Sequence, residues 1–140
     1  MLKKVYGRKL SRERDSRRAL IRSLIRALVM HGKIKTTKAK ALTVSPAVDK
    51  LITLAKKETD FARKKVFARL GNDKKTAKII FDKLVPMFAK RPGGFTRIIN
   101  LPRRSGDNAE MVILEFVEQI KKTETETEKK EKGKKKKIRK

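Results

Sequence analysis

The sequence predicts an α+β fold, and three observations carry that prediction. Apolar residues recur at helical spacing in four stretches before residue 90. The chain then breaks at Arg91-Pro92-Gly93-Gly94, and two β-branched runs joined by a turn-rich loop follow it. A short alternating segment, Lys33-Ile34-Lys35-Thr36, adds one earlier strand. Helices first and a hairpin last segregate the two kinds of element, giving a four-helix body with one short strand plus a C-terminal β-hairpin.

Residues 1–14 lack any apolar period and read as a basic N-terminal arm. From Asp15 or Ser16, Leu20, Ile21, Leu24, Ile25, Leu28 and Val29 form an i, i+3, i+4 stripe that ends at Gly32. Thr36 or Thr37 caps a second helical stretch that Pro46 divides. Ser45-Pro46 then supplies a cap and a first helical position for the better helix, Pro46 to Lys57, burying Val48, Leu51, Ile52 and Ala55. A third helix is expected from a cap at Asp60 to a stop at Gly71, with Ala62, Val66, Phe67 and Leu70 inward. A fourth begins at Asn72 or Asp73 and buries Ala77, Ile80, Phe81, Leu84 and Phe88; Pro86 kinks it or begins a separate turn. The hairpin strands are Phe95–Leu101 and Met111–Val117. Residues 15–120 thus form a single domain. Residues 121–140 alternate Thr with Glu and then run into Lys134–Lys137, too polar to offset their ordering entropy, and read as a disordered tail.

Charge decides the partner. The 140 residues carry 41 Lys and Arg against 15 Asp and Glu, a formal net charge of +26, so self-repulsion favours a state bound to a polyanion. Zero Cys excludes disulfide frameworks and thiolate chemistry, and a single His excludes multi-histidine metal sites. The carboxylates are scattered among lysines and caps, with no phosphate loop of glycines, so neither catalysis, metal, cofactor nor small-molecule substrate is expected. No apolar run approaches the roughly 18 residues of a membrane span, and Met-Leu-Lys-Lys-Val is no secretory leader. The expectation is a soluble, cytoplasmic protein without a membrane partner.

The basic residues cluster. Arg8, Lys9, Arg12, Arg14, Arg17, Arg18, Arg22 and Arg26 run through the arm and the first helix, with Lys3 and Lys4 before them. Arginines in a first helical turn oppose the macrodipole by about 0.3–1 kcal/mol each, so local helix stability does not explain them and an external phosphate does. Arg18, Arg22 and Arg26 follow one flank at four-residue steps and are expected to reach outward to nucleic acid. A second cluster joins Arg91, Gly93, Gly94 and Arg97 to the hairpin loop of Arg103, Arg104, Ser105 and Gly106. Lys35 and Lys38 complete the candidate set for binding nucleic acid. His31, in the last turn of the first helix, is read as a structural partner of free carbonyls. Phe61, Phe67, Phe81 and Phe88 fall at helical core positions, which argues against base stacking. A DNA-compacting protein is a rival, but no wedge residue on a β-arm is evident. A membrane-surface helix over 20–29 is another, without Trp or a lipidation signal in support.

Six blocks in order carry a resemblance: Gly-Arg-Lys-Leu-Ser-Arg (7–12), Arg-Arg-Ala-Leu-Ile-Arg-Ser-Leu (17–24), Ile-Lys-Thr-Thr (34–37), Leu-Ile-Thr-Leu-Ala-Lys (51–56), Gly-Gly-Phe-Thr-Arg-Ile (93–98) and Arg-x-Gly-Asp-x-Ala-x-Met (104–111). Over residues 7–117 the chain resembles the bacterial large-subunit ribosomal protein L-seventeen family. The resemblance implies an α+β fold with a small mixed sheet and an uninterrupted helix through the position of Pro46. It also implies a structural role on large-subunit ribosomal RNA, near the exit of the nascent-chain tunnel, with ribosomal protein L-thirty-two among its neighbours.

Overall fold

The computed structural model describes residues 8–118. The tail predicted at 121–140 and the first seven residues of the predicted arm, with Lys3 and Lys4, lie outside the described residues. Helix α1 spans Arg14–His31 and buries Ile25, Leu28 and Val29, the inward side of the stripe read from the sequence. Gly32 closes it in the left-handed region (φ 75°), its N–H donating to the Leu28 carbonyl at 2.7 Å. His31 is exposed. Strand β1, Lys33–Thr37, follows at once.

Helix α2 runs unbroken over Lys38–Ala55, with Pro46 inside it. The division expected at Pro46 does not occur, and the uninterrupted helix implied by family resemblance does. Two features explain it. Ala41, Val44, Val48, Leu51, Ile52 and Ala55 form one continuous buried stripe on both sides of the proline, so breaking the helix would expose half of that face. The carbonyl that loses its donor belongs to Leu42, an exposed residue (46%), where water can serve it. Ser45 is not a cap. Its hydroxyl lies 2.9 Å from that of Thr96 and ties α2 to the sheet.

Helix α3 spans Asp60–Leu70, and its cap is Thr59 instead of Asp60: the Thr59 hydroxyl accepts the Ala62 N–H at 3.2 Å. Asp60 becomes the first helical residue, where its charge complements the macrodipole. The buried row of α3 is Ala62, Val66 and Leu70. Phe61 sits on the neighbouring row and is 66% exposed, against the expectation that it lies in the core. Asp73 caps helix α4, Lys74–Ile79, accepting the N–H groups of Lys75 and Thr76. A π-turn over Ile80–Leu84 continues the rod, the Val85 N–H reaching back to the Ile80 carbonyl. Pro86 then stands in a new short turn, α5, Val85–Met87, which is the separate-turn alternative of the sequence reading.

Strands β2, Thr96–Asn100, and β3, Met111–Phe116, complete a three-stranded sheet of order β1-β3-β2. Both pairings are antiparallel, so the sheet is not mixed as the resemblance implied. With β3 central, the chain enters it from the hairpin loop and runs against both neighbours. Val112, Leu114 and Phe116 face the helices, and Phe88 packs against Phe95 and Phe116 with ring centroids 5.1 and 6.0 Å away. The core lies between the sheet and α2, closed by α1 and by the rod of α4, the π-turn and α5.

Pro46→Ala restores a helical donor without altering the buried stripe. It is expected to raise stability by about 2 kcal/mol in urea unfolding, the interior-proline penalty less the entropy that proline removes from the unfolded chain. A loss of stability would mean that the fold requires the proline's local geometry.

Candidate nucleic-acid interface

The N-terminal turn of α1 is a cationic helix end. Glu13 stands at the cap without a side-chain cap bond, and Asp15 is the acidic residue of the first turn. Arg18 reaches Asp15 only at 3.7 Å, on a carboxylate side chain that is 92% exposed. Among the described residues Arg14 and Arg17 pair with no carboxylate, nor do Arg8, Lys9 and Lys35. Arg12 bonds the Leu10 carbonyl at 2.8 Å, holding the turn that leads into the helix. Free backbone N–H groups and unbalanced guanidiniums here point to the same kind of ligand, an anion. Arg8 folds back to line a hollow of about 410 Å³ with Lys38 and Glu110. Glu110 is shared by Lys38 at 3.3 Å and Arg103 at 3.9 Å, so one carboxylate serves a corner of three cations.

The row Arg18, Arg22 and Arg26 does not reach outward as a set, which corrects the sequence reading. Arg22 Nε donates to the Arg69 carbonyl at 3.1 Å and its Nη2 to the Ala68 carbonyl at 3.5 Å, serving the open C-terminal end of α3. A Cβ added at Gly71, the left-handed residue that closes α3 (φ 69°), would stand 3.5 Å from Arg22 Nη1. Arg26 Nε lies 2.6 Å from Asp73 Oδ2, the cap of α4. Asp73 also accepts the Thr76 hydroxyl at 2.6 Å, and this bond, followed by the Thr76 N–H and the Arg26 charge, holds its carboxyl below the usual range. Two of the three arginines therefore staple α1 to the α3–α4 junction.

The second cluster is built by α2. Asp49 Oδ1 accepts the Phe95 N–H at 3.2 Å, Lys56 Nζ donates to the Arg91 carbonyl, and Ser45 meets Thr96. Ser45 and Asp49 lie on one face of α2 and Lys56 is its C-cap, and Asp49 and Lys56 anchor the two ends of the Arg91–Gly94 turn. Gly93 and Gly94 are exposed, with no protein atom where a Cβ would stand, so the backbone there is open to a ligand. Arg91 lies 3.7 Å from Glu118. Arg97 is held by Glu115 at 2.5 Å on the outer face of the sheet. Register places Lys35 on that face too, through Ile113. In the hairpin loop Arg104 grips Asp107 with two bonds, of 3.0 and 2.5 Å. Asp107 also accepts the Ala109 N–H at 3.2 Å, and together these push its pKa down to about 2, the Arg104 bond most of all. Arg104 thus shapes the loop and leaves Arg103 to project from it. No cluster of three His, Asp or Glu among the described residues could hold a metal ion.

Sequence reasoning missed the residues that position this surface. Ser45, Asp49 and Lys56 were legible as a polar helical row, but what they anchor depends on how α2 meets the sheet. The Asp73 cap was visible, whereas its ion pair with Arg26 spans 47 positions and was not.

Two outcomes follow. Arg22→Gln with Arg26→Gln should lower the stability of the free protein by about 1–2 kcal/mol in thermal unfolding, since charge-assisted bonds to helix-end groups are lost on a largely exposed surface. Arg14→Gln with Arg17→Gln should leave it nearly unchanged. For Asp107, the folded pKa lies below the unfolded one, so the ionised clamp persists at neutral pH and is lost as pH falls toward about 2. An NMR carboxyl titration should show that midpoint, and Arg104→Gln should move it up toward the ordinary carboxylate value. An unmoved midpoint would assign the shift to the backbone alone.

The chain matches the model of the family described as Ribosomal protein L17 over residues 20–117. It is 47% identical over 119 residues to the large ribosomal subunit protein bL17 of Persephonella marina, covering 84% of this chain and 96% of that one. It is 42% identical to the bL17 of Thermomicrobium roseum over 79% of this chain and 94% of the relative. The bL17 of Clostridium perfringens is also 42% identical, over 79% and 96%. An α+β body, a cationic first turn on α1 and this similarity along most of the length agree: the chain belongs to the bacterial ribosomal protein L17 family.

Proposed function

We propose that this protein is a structural, non-catalytic constituent of the large subunit of the bacterial ribosome, docking on large-subunit ribosomal RNA. It works in the cytoplasm as part of the translating ribosome, with other large-subunit proteins around it. The observation that carries the docking surface is the first turn of α1. Arg14 and Arg17 oppose the macrodipole and pair with no carboxylate among the described residues, an arrangement whose charge a phosphate neutralises. Arg8, Lys9, Lys38 and Arg103 extend the surface past Glu110, and Lys35, the open Gly93-Gly94 backbone and Arg97 extend it across the sheet. Binding is by phosphate neutralisation and by the shape of A-form helices and irregular loops more than by base sequence. Lys3 and Lys4 belong to the same footprint by their place in the arm. Family resemblance supports a position near the nascent-chain exit with ribosomal protein L-thirty-two as a neighbour.

Affinity for large-subunit ribosomal RNA across a salt series tests the surface. Arg14→Gln with Arg17→Gln should weaken binding and make the salt dependence shallower by about 1.4–1.8, the loss of two phosphate contacts. An unchanged slope would remove the first turn from the interface. The tail after Ile120 is proposed to be dispensable for placement. A chain truncated there should still co-sediment with large subunits at moderate salt, and loss of co-sedimentation by a folded truncation would contradict this.

A further inference from the structure

We infer that the groove between α1, α2 and α3 receives unpaired nucleotides of the RNA, with one base stacked on Phe61. This rests on the RNA-docking reading above and assigns it a distinct site. The groove has a volume of about 630 Å³, within the range of roughly 300–1,000 Å³ typical of ligand clefts. Arg18, Arg22, Lys50, Lys65 and Arg69 line it, and no carboxylate does. Arg22 gives its Nε and Nη2 to backbone carbonyls, which leave its positive charge uncancelled. Between the cations the floor is apolar, from Ile21, Ile25 and Leu51, a surface suited to a ribose or a base face. The cationic lining continues into an adjoining hollow that shares Lys50 and Arg69 and ends at Lys57. The acid of that hollow, Asp49, is already engaged by the Phe95 N–H.

Phe61 supplies the second, independent observation. Phe67 and Phe81 are partly buried and pack on one another, and Phe88 is fully buried against Phe95, whereas Phe61 is 66% exposed. Its ring lies one helical turn before Lys65, whose ammonium stands 4.2 Å from the ring centroid. Because Lys65 also lines the groove, the aromatic face and the cationic cleft are contiguous. A ring beside a track of cations is the arrangement that binds single strands, where each base offers a π-face and each phosphate a charge. A duplex hides its base faces, so the groove selects loops or extruded nucleotides.

The test uses the full-length chain. Fluorescent single-stranded oligouridylate and an RNA duplex of equal length are titrated against wild type and variants. Phe61→Ala should weaken oligouridylate binding about 5- to 160-fold, the range for losing one base–aromatic stack, with duplex binding unchanged. Phe61→Trp should retain it. Lys65→Gln and Arg69→Gln should each reduce the salt slope by about 0.7. Unfolding temperatures of all four variants should match wild type, since these side chains are exposed. Phe61→Ala that binds oligouridylate like wild type overturns the inference. A photoreactive benzoylphenylalanine in place of Phe61, carried into reconstituted large subunits, should crosslink to RNA; a crosslink to a neighbouring protein also overturns it. Loss of the groove with ribosomal RNA affinity intact leaves the docking reading standing, whereas a wild-type chain that fails to bind large-subunit RNA removes both.

Discussion

Repulsion among 41 basic residues, opposed by 15 acidic ones, is the force against which this fold is assembled. The carboxylates sit where elements join. Asp73 caps α4 and holds Arg26 of α1; Asp49 holds the backbone entering β2; Glu115 binds Arg97 across two strands; Asp107 closes the hairpin loop on Arg104. Each is spent on geometry, and none of these four neutralises the first turn of α1. The cationic surface is therefore a consequence of how few acids the chain has and where the fold requires them.

Helix α1 divides its arginines between two tasks. Its N-terminal turn leaves Arg14 and Arg17 without an ion-pair partner among the described residues, while Arg22 and Arg26 fasten the body together. The apolar stripe of the same helix, Ile25, Leu28 and Val29, sets the rotation that makes this division possible. Helix α2 acts as the spine: one face enters the core, and Ser45, Asp49 and Lys56 hold the sheet and the Arg91–Gly94 turn at a fixed distance from it. These bonds fix the backbone on which the cationic side chains are mounted, so less loop entropy is lost when a ligand is bound.

The helices and strands were legible because their signals are local. The α1 stripe ends where Gly32 permits a left-handed turn, the β-branched runs at 96–100 and 111–116 follow a glycine pair, and Asp73 announces α4. What was not legible depends on long-range packing. Pro46 remains inside α2 because the buried stripe on both sides outweighs its missing donor, a comparison no local rule makes. Phe61 fits a helical period, but the row that meets the core is Ala62, Val66 and Leu70. The strand directions follow from β3 being central, which a period of two cannot reveal. For the site, the sequence indicated which residues were cationic; it could not separate Arg14 and Arg17, which have no ion-pair partner among the described residues, from Arg22 and Arg26, whose partners lie some 46 positions away.

The central claim is that repulsion outweighs the protein's own ion pairs, so the free body is completed by a polyanion. The unfolding temperature of the free full-length chain against sodium chloride measures this balance. From about 0.01 M to about 0.5 M the screening length falls from about 30 Å to a few ångströms. The account predicts that the unfolding temperature rises steadily over that range, because like-charge repulsion is what salt removes. A temperature that falls with added salt would show that the ion pairs dominate, and would contradict the account.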